Sequence, residues 1–331
     1  MKIALLGVSH WHMPLFFEPL LQEKKHEIIG VSDTNPAVAR AYAEKIGKGC
    51  KAYTSYKDLC LERRPDFAFS LAPHNEMPAL ASFLMDERIP FSIEKPVGVH
   101  LSDVEALSAR ADAEGCFVAI PFVFRYTGFM QSIRERAKGE NVHNASFRLI
   151  AGPTSRYIEA GCEWMLDPLR SGGGCGINLA VHFLDLAIQL WQTPSISVAS
   201  AMTTNSASGG KIEDHFFAGL RCGAKTCLVE TGYLYPAPVG VFDMHFSVRT
   251  DSHYFAVQGP GKLEIADFSG KREFLDATTT NMPHYPTFTL DTLDRLESGR
   301  QPIARLADMI PVMRLIEAAY DIAGPLPVQN P

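Results

Sequence analysis

The sequence predicts an α/β protein in two unlike parts: an N-terminal doubly wound parallel sheet, then an α+β domain with an open, mostly antiparallel sheet. Three observations predict it. The chain has 331 residues, enough for two domains of ordinary size. Up to about residue 122, short apolar runs alternate with helical patterns, as parallel strands joined by crossover helices require. Beyond that point a few helices sit among successive alternating strands, which suits an open antiparallel sheet. The expected domains are therefore 1–122 and 123–331.

In the first part, residues 2–7, 27–33, 66–71, 90–93 and 116–120 read as buried strands. Between them, 36–46 opens with a proline at a first-turn position and stops before Gly47, a helix with both ends marked. Residues 77–86 and 102–114 are further helices, the latter with Ser102 as N-cap and Glu105 completing a capping box. In the second part, helices are expected at 129–138, 176–191, 287–296 and 306–322. Strands are expected at 142–150, 195–204, 215–222, 226–233, 242–250 and 254–258.

Composition narrows the function classes. Apolar residues make up 46% and charged residues 21%, which excludes a wholly disordered chain. The charge is −6, with 31 Lys and Arg against 37 Asp and Glu, so the footprint of a nucleic-acid binder is absent. Seven cysteines, an odd number with no Cys-x-x-Cys pair, read as thiols of a reduced, cytoplasmic protein. No run approaches the ~20 apolar residues of a membrane span, and the apolar start is too short for a signal peptide.

The first strand runs into Gly7-Val8-Ser9-His10-Trp11-His12 and then a helix. A dinucleotide turn uses glycine first for the tight bend and third for close approach of a pyrophosphate. Only Gly7 remains here, with Ser9 and His12 at the other two positions. Asp33 strengthens the reading. It ends the second strand 26 residues after Gly7, near the ~20-residue offset of a carboxylate that holds a ribose diol. Such a carboxylate repels a 2′-phosphate, so NAD is favoured over NADP. The competing role for Asp33 is a cap on the helix beginning at Pro36.

The predicted helix 176–191 is nearly all apolar. Its polar residues Asn178, His182, Asp185 and Gln189 fall at spacings of four, three and four, on one stripe. A buried helix must give such a stripe hydrogen-bonding partners or a wet cleft. Asp185 and Gln189 are read as structural. Asn178 and His182, just beyond the glycines at 172–174, are read as facing a ligand; the glycines remove side chains where something must come close. Glu94-Lys95-Pro96 directly follows a buried strand, at the end of the sheet where open α/β folds bind ligands.

Together these pieces resemble the Gfo/Idh/MocA oxidoreductase family: the start 3–12, Ser32-Asp33, Ala72-Pro73-His74-Asn75, Glu94-Lys95-Pro96, Phe124-Arg125-Tyr126, 164–168, Gly172-Gly173-Gly174 with Asn178, His182 and Asp185, and the stretch 317–320. The resemblance implies an N-terminal Rossmann domain, a bound nicotinamide cofactor and oxidation or reduction of a sugar, polyol or cyclitol. The cofactor set it implies is Gly7, Ser9, His10, Trp11, His12, Asp33, Pro73, His74, Asn75, Glu94 and Lys95. Lys95 matches the lysine that touches the nicotinamide ribose and the reacting hydroxyl. His182 matches the acid/base histidine. Asn178 stands where many members carry aspartate; it cannot relay a proton and is expected to orient the substrate or His182. No metal is expected.

Arg125, Tyr157 and Trp164 are candidates for the substrate wall, whereas Tyr126 and Arg156 are read as structural. The outward face of the second sheet should expose apolar residues unless covered, which predicts a homodimer or homotetramer. The alternatives are a redox-neutral glycosidase or lyase that uses held NAD transiently, a regulatory NAD-binding protein without turnover, and a metal-dependent enzyme using His10, His12, His182 and Asp185.

Overall fold

The computed structural model describes residues 1–47, 49–193, 195–236 and 242–326; the end of the expected second domain, 327–331, lies outside them. The first part is a six-stranded sheet of β1 (Lys2–Leu6), β2 (Glu27–Ser32), β3 (Lys51–Tyr53), β4 (Phe67–Ser70), β5 (Phe91–Ile93) and β6 (Val118–Ala119). Its spatial order is β3-β2-β1-β4-β5-β6, with every pair parallel. The crossover helices are α1 (Met13–Glu23), α2 (Pro36–Ile46), α3 (Tyr56–Arg63), α4 (Met77–Asp86) and α5 (Leu101–Glu114). Strand order reverses between β1 and β4, which opens a crevice at their carboxyl ends. Residues of β4 are all buried, as a strand covered on both faces requires.

Local signals explain most helix ends. The Asn35 side chain accepts from Ala37 and Val38 and caps α2, so Asn35 and not Asp33 is the cap. The start of α5 corrects the expected Ser102–Glu105 box. His100 is extended and its N–H donates to Asp103, so the helix begins one residue earlier, at Leu101.

The second part contains α6 (Gly128–Arg136), β7 (Val142–Ile150), α7 (Ser155–Glu159), α8 (Pro168–Ser171) and α9 (Val181–Trp191). Strands β8 (Ser197–Thr204), β9 (His215–Cys222), β10 (Lys225–Gly232), β11 (Asp243–Thr250), β12 (His253–Val257), β13 (Lys262–Asp267) and β14 (Arg272–Asp276) follow. The eight-stranded order is β14-β13-β12-β11-β7-β10-β9-β8, parallel only between β7 and β10. Helix α9 covers the inner face, where Phe183 stacks on Phe147 and contacts Phe246.

The run Pro168–Trp191 is the most apolar long stretch among the described helices. By length and composition it could cross a membrane, but 72% of its apolar window is buried inside the fold, as in a core helix. The chain ends by tying its two parts together: α10 (Tyr285–Glu297) packs on α1, and α11 (Leu306–Ala323) on α5, α9 and β8.

Candidate active site

The carboxyl end of β5 delivers Glu94 and Lys95 to the seam between the two parts. The Lys95–Pro96 peptide is cis, and Val97 behind it has φ 76°. A buried β-branched residue in that region is strained, a feature that concentrates at functional sites. Lys95 is 3% exposed, and its Nζ donates to the backbone oxygen of Asn178 at 2.7 Å and to Oδ1 at 2.8 Å. The third ammonium proton is left over. Burial lowers the Lys95 pKa to about 8.

Residues Gly176–Ala180, ahead of α9, wind as a π turn. Such turns release a carbonyl from the helix ladder, and here Lys95 takes the one on Asn178. The Asn178 Nδ2 group donates to the hydroxyls of Tyr157 and Tyr233, both at 2.8 Å. With both amide protons used and Oδ1 engaged, Asn178 positions Lys95. That corrects the expectation that it orients the substrate or His182.

His182 lies one turn further on, close enough for the Lys95 and His12 charges to act on it. Its ring packs 5.3 Å from that of Phe124 and 6.4 Å from that of Phe122. Its Nδ1 is buried without a hydrogen-bond partner. Burial, then those two charges, hold its pKa well below 6.5, so the imidazole is neutral at neutral pH.

The turn after β1 is drawn tight. Gly7 has φ 76°, and a Cβ there would lie 1.8 Å from the Leu71 carbonyl oxygen, so glycine is required by strand packing. Gly7 and Val8 N–H groups donate to Ser32, Ser9 N–H to Asp33 Oδ2 at 2.7 Å, and His10 N–H to Gly7. The Asp33 Oδ1 atom accepts from Asn35 N–H at 2.9 Å. Asp33 thus braces the turn. The His10 ring stacks on Trp11 at 4.0 Å, and its Nδ1 accepts from His12 N–H. His12 Nδ1 lies 2.9 Å from Glu94 Oε1 and 3.3 Å from the Tyr285 hydroxyl, joining the turn to the Glu-Lys-Pro segment. His74 Nδ1 donates to the Ser171 carbonyl at 2.7 Å, and burial lowers its pKa to about 3. Pro73 precedes it, and Asn75 is exposed.

Half-buried Trp11 and Trp164 cover this cluster, with ring centroids 5.7 Å apart; Trp11 also reaches the Tyr157 ring at 5.2 Å. Two expectations need correction. Arg125 does not offer a free cation to substrate. Its Nε and Nη2 bind Asp185 at 2.9 and 2.5 Å, Nη2 also reaches Asp308, and Nη1 donates to the Ile303 carbonyl. Tyr126, as expected, is structural and donates to Asp291. The glycines do not make room for a ligand. A Cβ on Gly174 would lie 2.0 Å from the Glu213 carbonyl oxygen, so the chain itself fills the space. The buried Glu213 carboxylate accepts from Gly174 N–H, Gly176 N–H and the Tyr320 hydroxyl, fixing the start of the Asn178 turn. Glu213 and Tyr233 went unpredicted because nothing local marks them. Among the described residues, no three of His, Cys, Asp and Glu converge as a metal group.

A groove beside the turn is lined in part by Ser9, His10, Trp11, Asn35, Val38 and Tyr42. It lies at the switch point and has the place and polarity to hold a dinucleotide. The turn's N–H groups are largely engaged within the protein, so pyrophosphate contacts would fall to side chains such as Ser9 and His10. On this test the residues present fit the cofactor, with a modified phosphate contact.

The fold, with its crevice at the switch point, defines a dinucleotide-binding α/β class of protein. Residues 1–122 match the family model described as oxidoreductase family, NAD-binding Rossmann fold. That model is the Gfo/Idh/MocA one, and the match lies within the first domain. It is 25% identical over 187 residues to a putative UDP-kanosamine synthase oxidoreductase subunit of Amycolatopsis mediterranei, covering 56% of this chain and 50% of that one. It is 24% identical over 115 residues to a mouse trans-1,2-dihydrobenzene-1,2-diol dehydrogenase, covering 35% of this chain and 34% of the relative. The matches therefore span half or less of these relatives. Among solved structures, an Agrobacterium radiobacter oxidoreductase in complex with NAD+, L-tartaric acid and magnesium superposes with TM-score 0.84 at 18% identity, over 98% of this chain and 96% of that one. That likeness is one of fold.

Proposed function

We propose that the protein is an NAD-dependent oxidoreductase acting on the CH–OH group of a sugar, polyol or cyclitol. The observation that carries the reading is the seam itself: Lys95, with one ammonium proton free, and neutral His182 arrive from different parts of the chain at one buried place. When bound, the nicotinamide cofactor supplies the hydride acceptor. Lys95 stabilises the alkoxide that develops as the carbinol is oxidised. His182 takes the hydroxyl proton, and in the reverse direction returns it. Asn178 holds the ammonium in place, and Trp11 and Trp164 exclude water. The three relatives above, by their names or bound acid, concern hydroxylated molecules, which supports this substrate class.

The test is NADH formation, followed by absorbance, over a panel of polyols, inositols, aldoses and their acids. At least one should be oxidised. His182→Ala should lower kcat by roughly 10²–10⁴ with NADH affinity unchanged. In the wild type, the acid limb of the pH–rate profile should lie below pH 6.5, the direction in which burial moves His182. Bound NAD with substrate turnover but no net NADH would instead support the redox-neutral alternative.

Two further readings belong here. Seven free thiols support a cytoplasmic location. The outward sheet face carries Met202, Leu228, Tyr254 and Phe274, each more than a third exposed, among ion pairs of Arg148 with Glu230 and Asp243. A second copy covering that face would give the homodimer or homotetramer; a monomer by light scattering at micromolar concentration would sink this reading.

A further inference from the structure

The seam holds more positive charge than it neutralises. Lys95 Nζ is bound by neutral oxygens of Asn178. Arg156, on α7, sits over the rings of Tyr157 and Tyr233, its guanidinium 4.8 and 4.9 Å from their centroids. Its Nη2 donates to the Tyr157 hydroxyl at 2.8 Å. Its Nε is buried and has no hydrogen-bond partner. Among the described residues, neither cation has a carboxylate within ion-pair distance. The acid nearest in the network, Glu94, already accepts from His12 and from the Lys95 N–H. His10, His12, His74 and His182 cannot compensate, since an imidazole is neutral or cationic; burial lowers the pKa of each, so at neutral pH they add no further positive charge.

A cation with a buried, unmet donor atom is costly in a finished structure. The tyrosine faces offset part of that cost, through cation–π attraction, but leave Nε–H unmet. Its missing partner is an oxygen anion. Arg156 is also joined to the reacting end of the site: Arg156 to Tyr157, Tyr157 to Asn178 and Asn178 to Lys95 are successive hydrogen bonds of 2.8 Å each. The two cations are near enough for the Arg156 charge to act on Lys95, so one small molecule can face both.

The geometry points to Arg156 as the receptor for a carboxylate on the substrate, so that the preferred substrate is a hydroxy acid of sugar or polyol type, such as an aldonate or a uronate. This rests on the proposed function and narrows its substrate class. Charge-assisted hydrogen bonding from Nε–H supplies selectivity for the acid, and Lys95 acts on the hydroxyl. A neutral polyol would leave Nε–H buried and unpaired, which selects against it.

The experiment is calorimetric titration of the protein with saturating NAD, using matched pairs that differ in the acid group: D-gluconate with D-glucitol, and D-glucuronate with D-glucose. At least one acid should bind ten-fold or more tighter than its neutral partner. Arg156→Gln should weaken that acid by roughly 10- to 100-fold, while NADH affinity, read from tryptophan fluorescence, stays the same. Arg156→Lys keeps the charge and should recover part of the loss, and it decides the comparison if the glutamine variant does not fold. Neutral members binding as tightly as acids, no acid binding at all, or an Arg156→Gln protein with unchanged acid affinity would each overturn the assignment. NADH formed from neutral polyols without preference for acids would sink this inference alone; failure to bind NADH would sink the proposed function.

Discussion

Two arginines lie close to the substrate seam, and they differ in how their charge is met. Arg125 is 3% exposed and every part of its fork is used, by Asp185, Asp308 and the Ile303 carbonyl. Burial alone would lower its pKa, but the two carboxylates outweigh it and raise it. Arg156 is half-buried, caged by two tyrosine rings, and keeps an unpaired buried Nε. Burial does not separate a structural cation from a functional one; compensation does. A fully paired ion holds elements together, whereas an under-paired one near Lys95 has a donor to offer a ligand.

The sharpest way to break this comparison is to remove each arginine in turn. Arg125→Ala leaves the Asp185 carboxylate buried and uncompensated, between α9 and the segment at Phe124. We expect a loss of about 3–5 kcal/mol in urea unfolding. Arg156→Ala leaves no buried anion behind and should cost far less stability. Equal losses would mean that both residues are structural.

The next effect separates positioning from chemistry. Lys95→Ala should reduce kcat by roughly 10²–10³, as for loss of a group that stabilises developing charge. Asn178→Asp tests the positioning role. It replaces a neutral Oδ1 with a carboxylate oxygen beside Nζ, which favours the charged lysine. In the wild type the rate should fall as pH rises past about 8, where Lys95 loses its proton. In Asn178→Asp that alkaline limb should move to higher pH. An unmoved limb would assign the titration to another group.

A smaller effect follows from the neutral histidines. In an unfolded chain His10, His74 and His182 protonate near pH 6.5, while in the folded chain burial holds each pKa lower, for His74 at about 3. Below pH 6.5 the unfolded state therefore binds more protons, and stability falls with falling pH by at most about 1.4 kcal/mol per pH unit for each histidine. Thermal melts from pH 7 to 5 should show this decline, and His74→Gln should flatten it. A melting temperature that is constant across the range would contradict the buried, neutral assignment.

Much of this was legible in the sequence, for physical reasons that vary by region. Helix α2 has an end signal on both sides, and its bounds were read correctly; β7 and β9 alternate cleanly and were too. The strands β3, β13 and β14 were not read: β3 and β14 are short edge strands, and β13, though paired on both sides, is broken up by Lys262, Glu264 and Asp267. Lys95 and the Asn178–His182 pair were legible because a buried strand end and an apolar helix make a polar residue conspicuous. The partners were not. The glycines announced a close approach, but only the fold reveals that Glu213 approaches, from a loop 39 residues away. Arg125 was assigned to the substrate wall, since whether an arginine meets a carboxylate depends on residues such as Asp308, far along the chain.

Asp33 is the carboxylate for which structure and ligand roles overlap, and it gives the smallest expected effect. Each of its oxygens already accepts a backbone N–H, from Ser9 at 2.7 Å and Asn35 at 2.9 Å, and the side chain is only 5% exposed. A carboxylate oxygen has a second lone pair, so a ribose hydroxyl can still donate to it. The same charge repels a 2′-phosphate, which is why NADH should bind more tightly than NADPH. Asp33→Ser removes the charge and the brace together. It should shrink the cofactor preference by about ten-fold or less and also weaken NADH itself, because the turn loses its hold on Ser9. Asp33→Asn separates the two effects: it keeps one accepting oxygen and most of the shape but not the charge. Fluorescence titration with both cofactors distinguishes the outcomes. A preference lost in both variants, with NADH weakened chiefly in Asp33→Ser, assigns the charge to the ribose and the hydrogen bonds to the turn. If the wild type bound NADPH as well as NADH, Asp33 would be a brace alone, compensated by backbone donors as fully as Arg125 is by its carboxylates.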